Sequence, residues 1–402
     1  MIHTDKLPQK DFGINFRNKE DKQIFFPNLD SLRFLAFLLV FLQHGFRNAF
    51  KPFDGQHYFL DRIISFFFSG GATGVQIFFV LSGFLITYLL LNENKKAGNI
   101  NLKKFYIRRT LRIWPLYFAT VIFAFLIYPY IKSMIGIHSD LCSRPWYYFT
   151  FLANFDSIYI SQHCPGQSAM TQSIVWSVAI EEQFYIFWPI LFILMPPSKH
   201  WLVFPFVIIS CLAFRIAHVE TEGKILYFHT FAVMGDLAIG GLFAYLSMHS
   251  KKFLVWLQQL PKKTILFFYL FIFFCYFFQD IIFSLPGSVV YGRMIFDIFW
   301  AFIIIEQCFA KNNLFALGKN KQFSNLGKVS YGLYMLHPIG ILITDISFRV
   351  LNINTSSSLT LIVMGVISLI ISIMIARLSY KWFETPFLKF KDKFAVVKTH
   401  AV

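Results

Sequence analysis

Ten stretches of about 20 predominantly apolar residues, joined by short polar connections, decide what this chain of 402 residues can fold into. Such a stretch crosses the hydrocarbon core of a bilayer as a helix, where each backbone N–H and C=O must be satisfied internally. The stretches fall at about 29–50, 74–91, 106–130, 174–196, 201–217, 226–248, 265–285, 291–310, 330–349 and 359–382. The expected fold is therefore all-α, a polytopic membrane bundle of about ten transmembrane helices. Composition agrees. The chain is 56% hydrophobic and only 14% charged, against roughly a quarter charged in a soluble protein. The first stretch follows a polar leader without a small-residue cleavage site, so it reads as a retained helix and not a secretion signal. The organisation expected is a leader over 1–28, one membrane domain over 29–387 and a short basic tail over 388–402. No internal repeat is visible, which weighs against inverted-repeat transporters.

A net charge of +16 invites a nucleic-acid reading, but its distribution excludes one. Most of the 37 Lys and Arg lie in the leader, the even-numbered loops and the tail. The odd-numbered loops hold only Lys51, Arg62, Lys132, Arg144, Lys224 and Arg293. By the positive-inside rule both termini are expected in the cytoplasm, with the odd loops outside. The basic balance is membrane topology.

Polar residues inside spans cost free energy, about 2.5–3.5 kcal/mol for an ionised group at mid-helix, and each needs a reason. In LDSLRFLAFLLVFLQHGFRN, Arg33 and His44 are 11 residues apart, within roughly 20° of alignment on a helix. They share one face, Arg33 near the cytoplasm and His44 about 16 Å further along. A snorkelling cation and a structural imidazole are the bland alternatives. In SIVWSVAIEEQFYIFWPI, adjacent Glu181 and Glu182 point about 100° apart. One can face the interior at a depth matching His44, so a pair between His44 and one of these glutamates, with the character of a general base, stands beside a purely structural interhelical pair. In KKFYIRRTLRIWPLYF, Arg108 and Arg112 are i, i+4 while Arg109 and Arg112 are i, i+3. They project to one side, where phosphates suit the guanidinium fork; a cationic fence at a helix end is the alternative. Asp236 should face the interior among small residues, and His337 before Pro338 reads as a structural hydrogen bond. Cys142 and Cys164 share an outward loop, where a disulfide or two free thiols both remain open. No cluster has metal-ligand spacing.

Together these residues resemble the acyltransferase-3 family of integral-membrane acyltransferases. Arg33 and His44 match its R-x10-H signature. GVQIFFVLSGFLIT is similar to its second-helix motif, FYIRRTLRIWPLY to its R-R-x-x-R-I-x-P element and IVWSVAIEEQFY to its W-S-L-x-x-E-x-Q-F-Y element. LGKVSYGLYMLHP and WFETPF resemble its last two landmarks. The departures are Gln76 where an acid is common, Val178 for Leu and Thr385 for Lys.

The resemblance implies a bacterial inner-membrane O-acyltransferase with acetyl-CoA, or another acyl-CoA, as co-substrate and no tightly bound cofactor. The acceptor would be a hydroxyl of a surface polysaccharide or lipid-linked glycan. His44 and Glu181 would be catalytic with Arg33, either by general-base transfer or through an acylated His44. Arg108, Arg109 and Arg112 would take the CoA phosphates, and Ser82, Gly83, Trp176, Ser177 and Tyr185 would line the path. Many relatives append an SGNH-type domain; this chain is expected to act alone or with a separate partner. The alternative from another class is a transporter or flippase that forms no covalent bond.

Overall fold

The computed structural model describes residues 26–47, 49, 63–64, 66–68, 70–134, 142–164, 174–221 and 224–396. Most of the expected leader, the loop residues Lys51 and Arg62, and the end of the basic tail lie outside them. The described chain is helical throughout. The main elements are α1 (Pro27–Gly45), α2 (Gly71–Ala97), α3 (Leu102–Met134), two short helices α4 (Pro145–Phe149) and α5 (Ala153–His163), α6 (Val175–Leu194), α7 (Pro197–Ala217) and α8 (Ile225–His249). There follow α9 (Lys251–Gln259), α10 (Lys262–Phe277), α11 (Ser288–Phe309), α12 (Lys321–Lys328), α13 (Ser330–Val350) and α14 (Ser358–Asp392).

Among the described residues eight helices are long and apolar enough to cross a membrane, or nine if α9 and α10 form one broken span. That pair bends by 93° at Leu260–Pro261, because proline lacks the N–H that would continue the helix and pushes its predecessor out of the helical region. The stretch expected at 265–285 is thus a shorter helix preceded by one lying across it. Helix α1 is not among the eight. Asp30, Arg33, Gln43 and His44 dilute its apolar surface, and its neighbours are other helices: α2, α11, α12, α13 and α14 all pack on it. Leu29, Ala36, Phe37, Val40 and Phe41 are buried there. The helix with the most expensive polar groups is therefore the one shielded from lipid, which removes the cost anticipated for them.

Close packing of the central helices rests on glycine. Gly83 on α2 lies against the Leu237 carbonyl of α8, and Gly240 of α8 lies against the Val80 carbonyl of α2. A Cβ at either position would overlap backbone, which cannot swing aside. The glycines of FFVLSGF and GDLAIGG are thus a reciprocal crossing of the small-residue kind.

Between spans, Gly98 ends α2 with φ 74°, a left-handed cap that glycine adopts without strain. Asn101 then starts α3 by accepting from the Lys104 N–H at 2.9 Å, so the chain reverses in a few residues. The segment RPWYYFTFLANF forms α4 and the start of α5, neither long enough to cross, as its polar ends imply. Cys142 and Cys164 are joined in a disulfide around these two helices. Closing a loop of this length contributes about 2–4 kcal/mol, so Cys142→Ser should lower the thermal midpoint of the purified protein by several degrees, read by tryptophan fluorescence.

Candidate active site

One end of the bundle holds a cavity of about 530 Å³. The first turns of α1, α2 from Val75 to Glu93, the start of α3, the first half of α6, the start of α13 and the terminal turns of α14 enclose it. Its walls include Arg33, Ser82, Arg108, Arg109, Arg112, Ser177, Glu181 and Tyr185, so most residues singled out in the sequence converge on one space. Gly83 and Trp176 do not line it. Gly83 serves the α2–α8 crossing, and Trp176 packs against Phe79, Tyr227 and Phe228. Their expected place on the path is corrected to packing. For Trp176 the motif fixed the residue but not which way its side chain points.

The three arginines of α3 differ. Arg108 ion-pairs with Glu93 Oε2 at 2.6 Å and donates to the Phe394 carbonyl at 2.9 Å, so it ties α3 to α2 and to the segment after α14. Arg109 packs its guanidinium over the rings of Tyr185, at 5.4 Å, and Phe105, at 5.8 Å. Neither Arg109 nor Arg112 donates a hydrogen bond to an acceptor among the described residues. Arg109 is half-buried and Arg112 exposed in this wall, so both guanidiniums keep free N–H groups facing the cavity. Arg33 is held one turn from its own Asp30, N–O 2.5 Å; this intrahelical pair, and no snorkelling, settles it in the wall. Tyr331, Tyr334, Glu384 and Lys391 join the same walls. The sequence carried them inside SYGLY, WFETPF and the tail but gave no sign that they face the arginines.

Glu181 and Glu182 diverge as their 100° offset requires. Glu181 Oε1 accepts from Ser82 Oγ at 2.9 Å and Oε2 from Tyr185 OH at 3.3 Å. Glu182 turns to the Trp114 indole N–H at 2.7 Å. The hydroxyl of Ser177 meets that of Tyr334 at 2.7 Å. Glu181 makes no bond to His44, so the expected His44–Glu181 pair is not formed. Position along a helix axis leaves direction around it open, and the two side chains turn to different cavities.

His44 opens instead on a second cavity of about 410 Å³ at the other end, walled by Arg47, Tyr128, Pro338, Asp345 and Ser368 among others. Its Nδ1 lies 2.8 Å from His337 Nε2, with the two ring planes 8° apart. His337 is fully buried against Phe37 and Phe41, and its Nδ1 lies 2.8 Å from the Tyr334 carbonyl. The hydrogen bond expected of His337 is present, and its partner is His44. Among the described residues the two cavities share no wall residue; His337 connects a wall residue of each.

A third polar group lies off both cavities. Asp236 of α8 takes a bidentate ion pair from Arg293, with distances of 2.6–3.0 Å. Arg293, assigned to an outward loop from its position near a span end, sits inside α11 instead, because Asp236 offers a buried counter-charge. Gln76 donates to Asp297 Oδ1 and to the Arg293 carbonyl, both at 2.7 Å. An acid at position 76 would accept where a donor is needed, beside two carboxylates, so the amide fits this chain.

Known proteins resemble the chain over most of its length. Staphylococcus aureus (strain COL) has a chain named, provisionally, an O-acetyltransferase that is 28% identical over 393 residues. The match covers 92% of this chain and 58% of that one. The Listeria monocytogenes protein named peptidoglycan O-acetyltransferase OatA is 28% identical over 404 residues, covering 91% and 58% respectively. The chain thus spans 58% of the length of these curated relatives. No solved structure matches it. The family model described as an acyltransferase domain matches residues 26–377, nearly all of the bundle though not the terminal turns that carry Glu384, and the chain belongs to the acyltransferase-3 family.

Proposed function

We propose that this protein is a membrane O-acetyltransferase that takes acetyl from acetyl-CoA at the arginine-lined end and delivers it to a glycan hydroxyl at the His44 end. The observation that carries this reading is the pairing of two cavities at opposite ends of one bundle. One has cations without hydrogen-bond partners in its wall, the other an accessible imidazole. The excess of Lys and Arg in the even-numbered loops favours the arginine end as the cytoplasmic one, where acyl-CoA would be available, in a bacterial inner membrane.

In this reading Arg109 and Arg112 hold the donor's phosphates. His44 takes the proton from the acceptor hydroxyl as its oxygen bonds to the thioester carbonyl carbon, worth about 10²–10⁴-fold. The C–S bond then breaks, and the departing thiolate takes the proton from the imidazolium. Glu181, held by Ser82 and Tyr185, and Arg33 polarise the donor cavity. Because the cavities share no wall residue among those described, the region around His337 must part for the acyl group to pass. The Listeria relative's name supports a cell-wall glycan as the acceptor.

Arg112→Gln should raise the KM for acetyl-CoA about 10–100-fold, since a charge-assisted contact contributes roughly 1.5–3 kcal/mol, with kcat changed less. Steady-state kinetics at varied donor concentration checks this. The function itself is tested by supplying labelled acetyl-CoA to membranes with and without the protein and isolating their glycans. Label that depends on the protein is the expected result. No label with any CoA thioester, alongside altered glycan export, would favour the transporter.

A further inference from the structure

We propose that His337 is a positioning residue that fixes the tautomer of His44, leaving His44 Nε2 as the one nitrogen able to take a proton or an acyl group. The inference rests on the reading of His44 as the transfer base and adds how that base is prepared.

The argument begins with the proline after the histidine. In a helix the Tyr334 carbonyl would accept from the N–H of residue 338, but Pro338 has none. The carbonyl is left with an open lone pair inside the bundle, where an unsatisfied acceptor is costly. His337 Nδ1 lies 2.8 Å from it. A carbonyl cannot donate, so the hydrogen of this bond belongs to His337 Nδ1. In a neutral ring Nε2 is then bare. That bare nitrogen lies 2.8 Å from His44 Nδ1, and two lone pairs do not meet at such a distance. His44 Nδ1 therefore carries the hydrogen and donates, and His44 Nε2 keeps its lone pair.

The other assignment needs His337 as an imidazolium. That would be a charge at 0% exposure, ringed by Phe37, Phe41 and Tyr334, with no carboxylate bonded to it among the described residues. Burial of that kind is unfavourable. Nε2 of His44 makes no hydrogen bond to the described protein, and His44 lines the outer cavity.

The consequence is functional. When Nε2 takes the acceptor's proton, the imidazolium is steadied by its Nδ1–H···Nε2 bond, which becomes charge-assisted. His337 does what a carboxylate does in a hydrolase triad, orienting the ring and selecting its tautomer, but as a neutral group. Its own hydrogen is committed to a carbonyl, so the pair does not relay protons inward. The HP dipeptide thus has a physical reason: proline frees the carbonyl that fixes the histidine that fixes His44.

The test uses the full chain in lipid nanodiscs with ¹⁵N-labelled histidine, His44 being assigned by loss of its signals in His44→Ala. The wild-type spectrum should show His44 protonated at Nδ1 and bare at Nε2; protonation at Nε2 overturns the proposal whether or not the protein transfers acetyl. Kinetics with labelled acetyl-CoA and cell-wall glycan give the second readout. His337→Met, similar in bulk but without a ring acceptor, should lower kcat about 10²-fold or more with the donor KM unchanged. His337→Gln, whose Oε1 can accept from His44 Nδ1, should stay within about tenfold of wild type. Full kcat in His337→Met, or equal losses in both variants with a raised KM, overturns the proposal. Absence of transfer by the wild type counts against the proposed function alone, since the tautomer is read independently.

Discussion

Replacing His44 by alanine is expected to reduce acetyl transfer by about 10²–10⁴-fold, the range that a well-placed base supplies, with the protein still folded in the membrane. The side chain sits at a cavity wall and, among the described residues, hydrogen-bonds only His337, so its loss empties little of the core. His337 then loses one partner on Nε2 while its bond to the Tyr334 carbonyl persists. Unchanged chromatographic behaviour with transfer near background is the expected pair of results. Transfer at the wild-type rate would remove His44 from the chemistry.

The largest structural effect belongs to Gly83→Leu. Even a Cβ there meets the Leu237 carbonyl of α8, and the reciprocal contact of Gly240 with the Val80 carbonyl leaves neither helix room to slide. Overpacking usually costs about 1–3 kcal/mol, but that range describes side chains that can adjust; here backbone meets backbone-bound carbon on two central helices. The variant should fail to give a monodisperse peak in detergent. Gly98→Ala, at an exposed cap with φ 74° and open space around it, is the contrasting case. It should fold, with a penalty near 1 kcal/mol from the left-handed backbone alone. Equal yields of Gly83→Leu and wild type would contradict the packing account.

Fold class was legible because a bilayer leaves little choice of backbone structure: spans placed from apolar length alone fall on the observed helices at both ends of α13 and close to them in α6 and α8. The exceptions have local causes. Pro261 breaks one span, and α1 trades apolarity for Asp30, Arg33 and His44 because protein surrounds it. That several of the singled-out residues meet was largely legible, since Arg33, Arg109, Arg112, Ser82, Glu181 and Tyr185 do line one cavity. What sequence could not give was direction around each helix axis in a bundle of unknown order. His44 and Glu181, expected at matching depth, line different cavities and bond different partners. Arg108 carries the same charge as Arg112 but is committed to Glu93, a residue whose approach depends on the turn at Gly98–Asn101. His337 was visible as a polar residue beside a proline; only the α1–α13 contact identifies what it bonds.

The division of labour between the two ends is tested most directly in proteoliposomes sorted by protein orientation. Labelled acetyl-CoA is supplied on one face and a soluble glycan oligomer sealed on the other. Transfer is expected only when the donor is on the Arg109–Arg112 face and the glycan on the His44 face, and it should vanish in His44→Ala. Equal transfer with both substrates on the same face, or transfer in the reversed arrangement, would contradict the account.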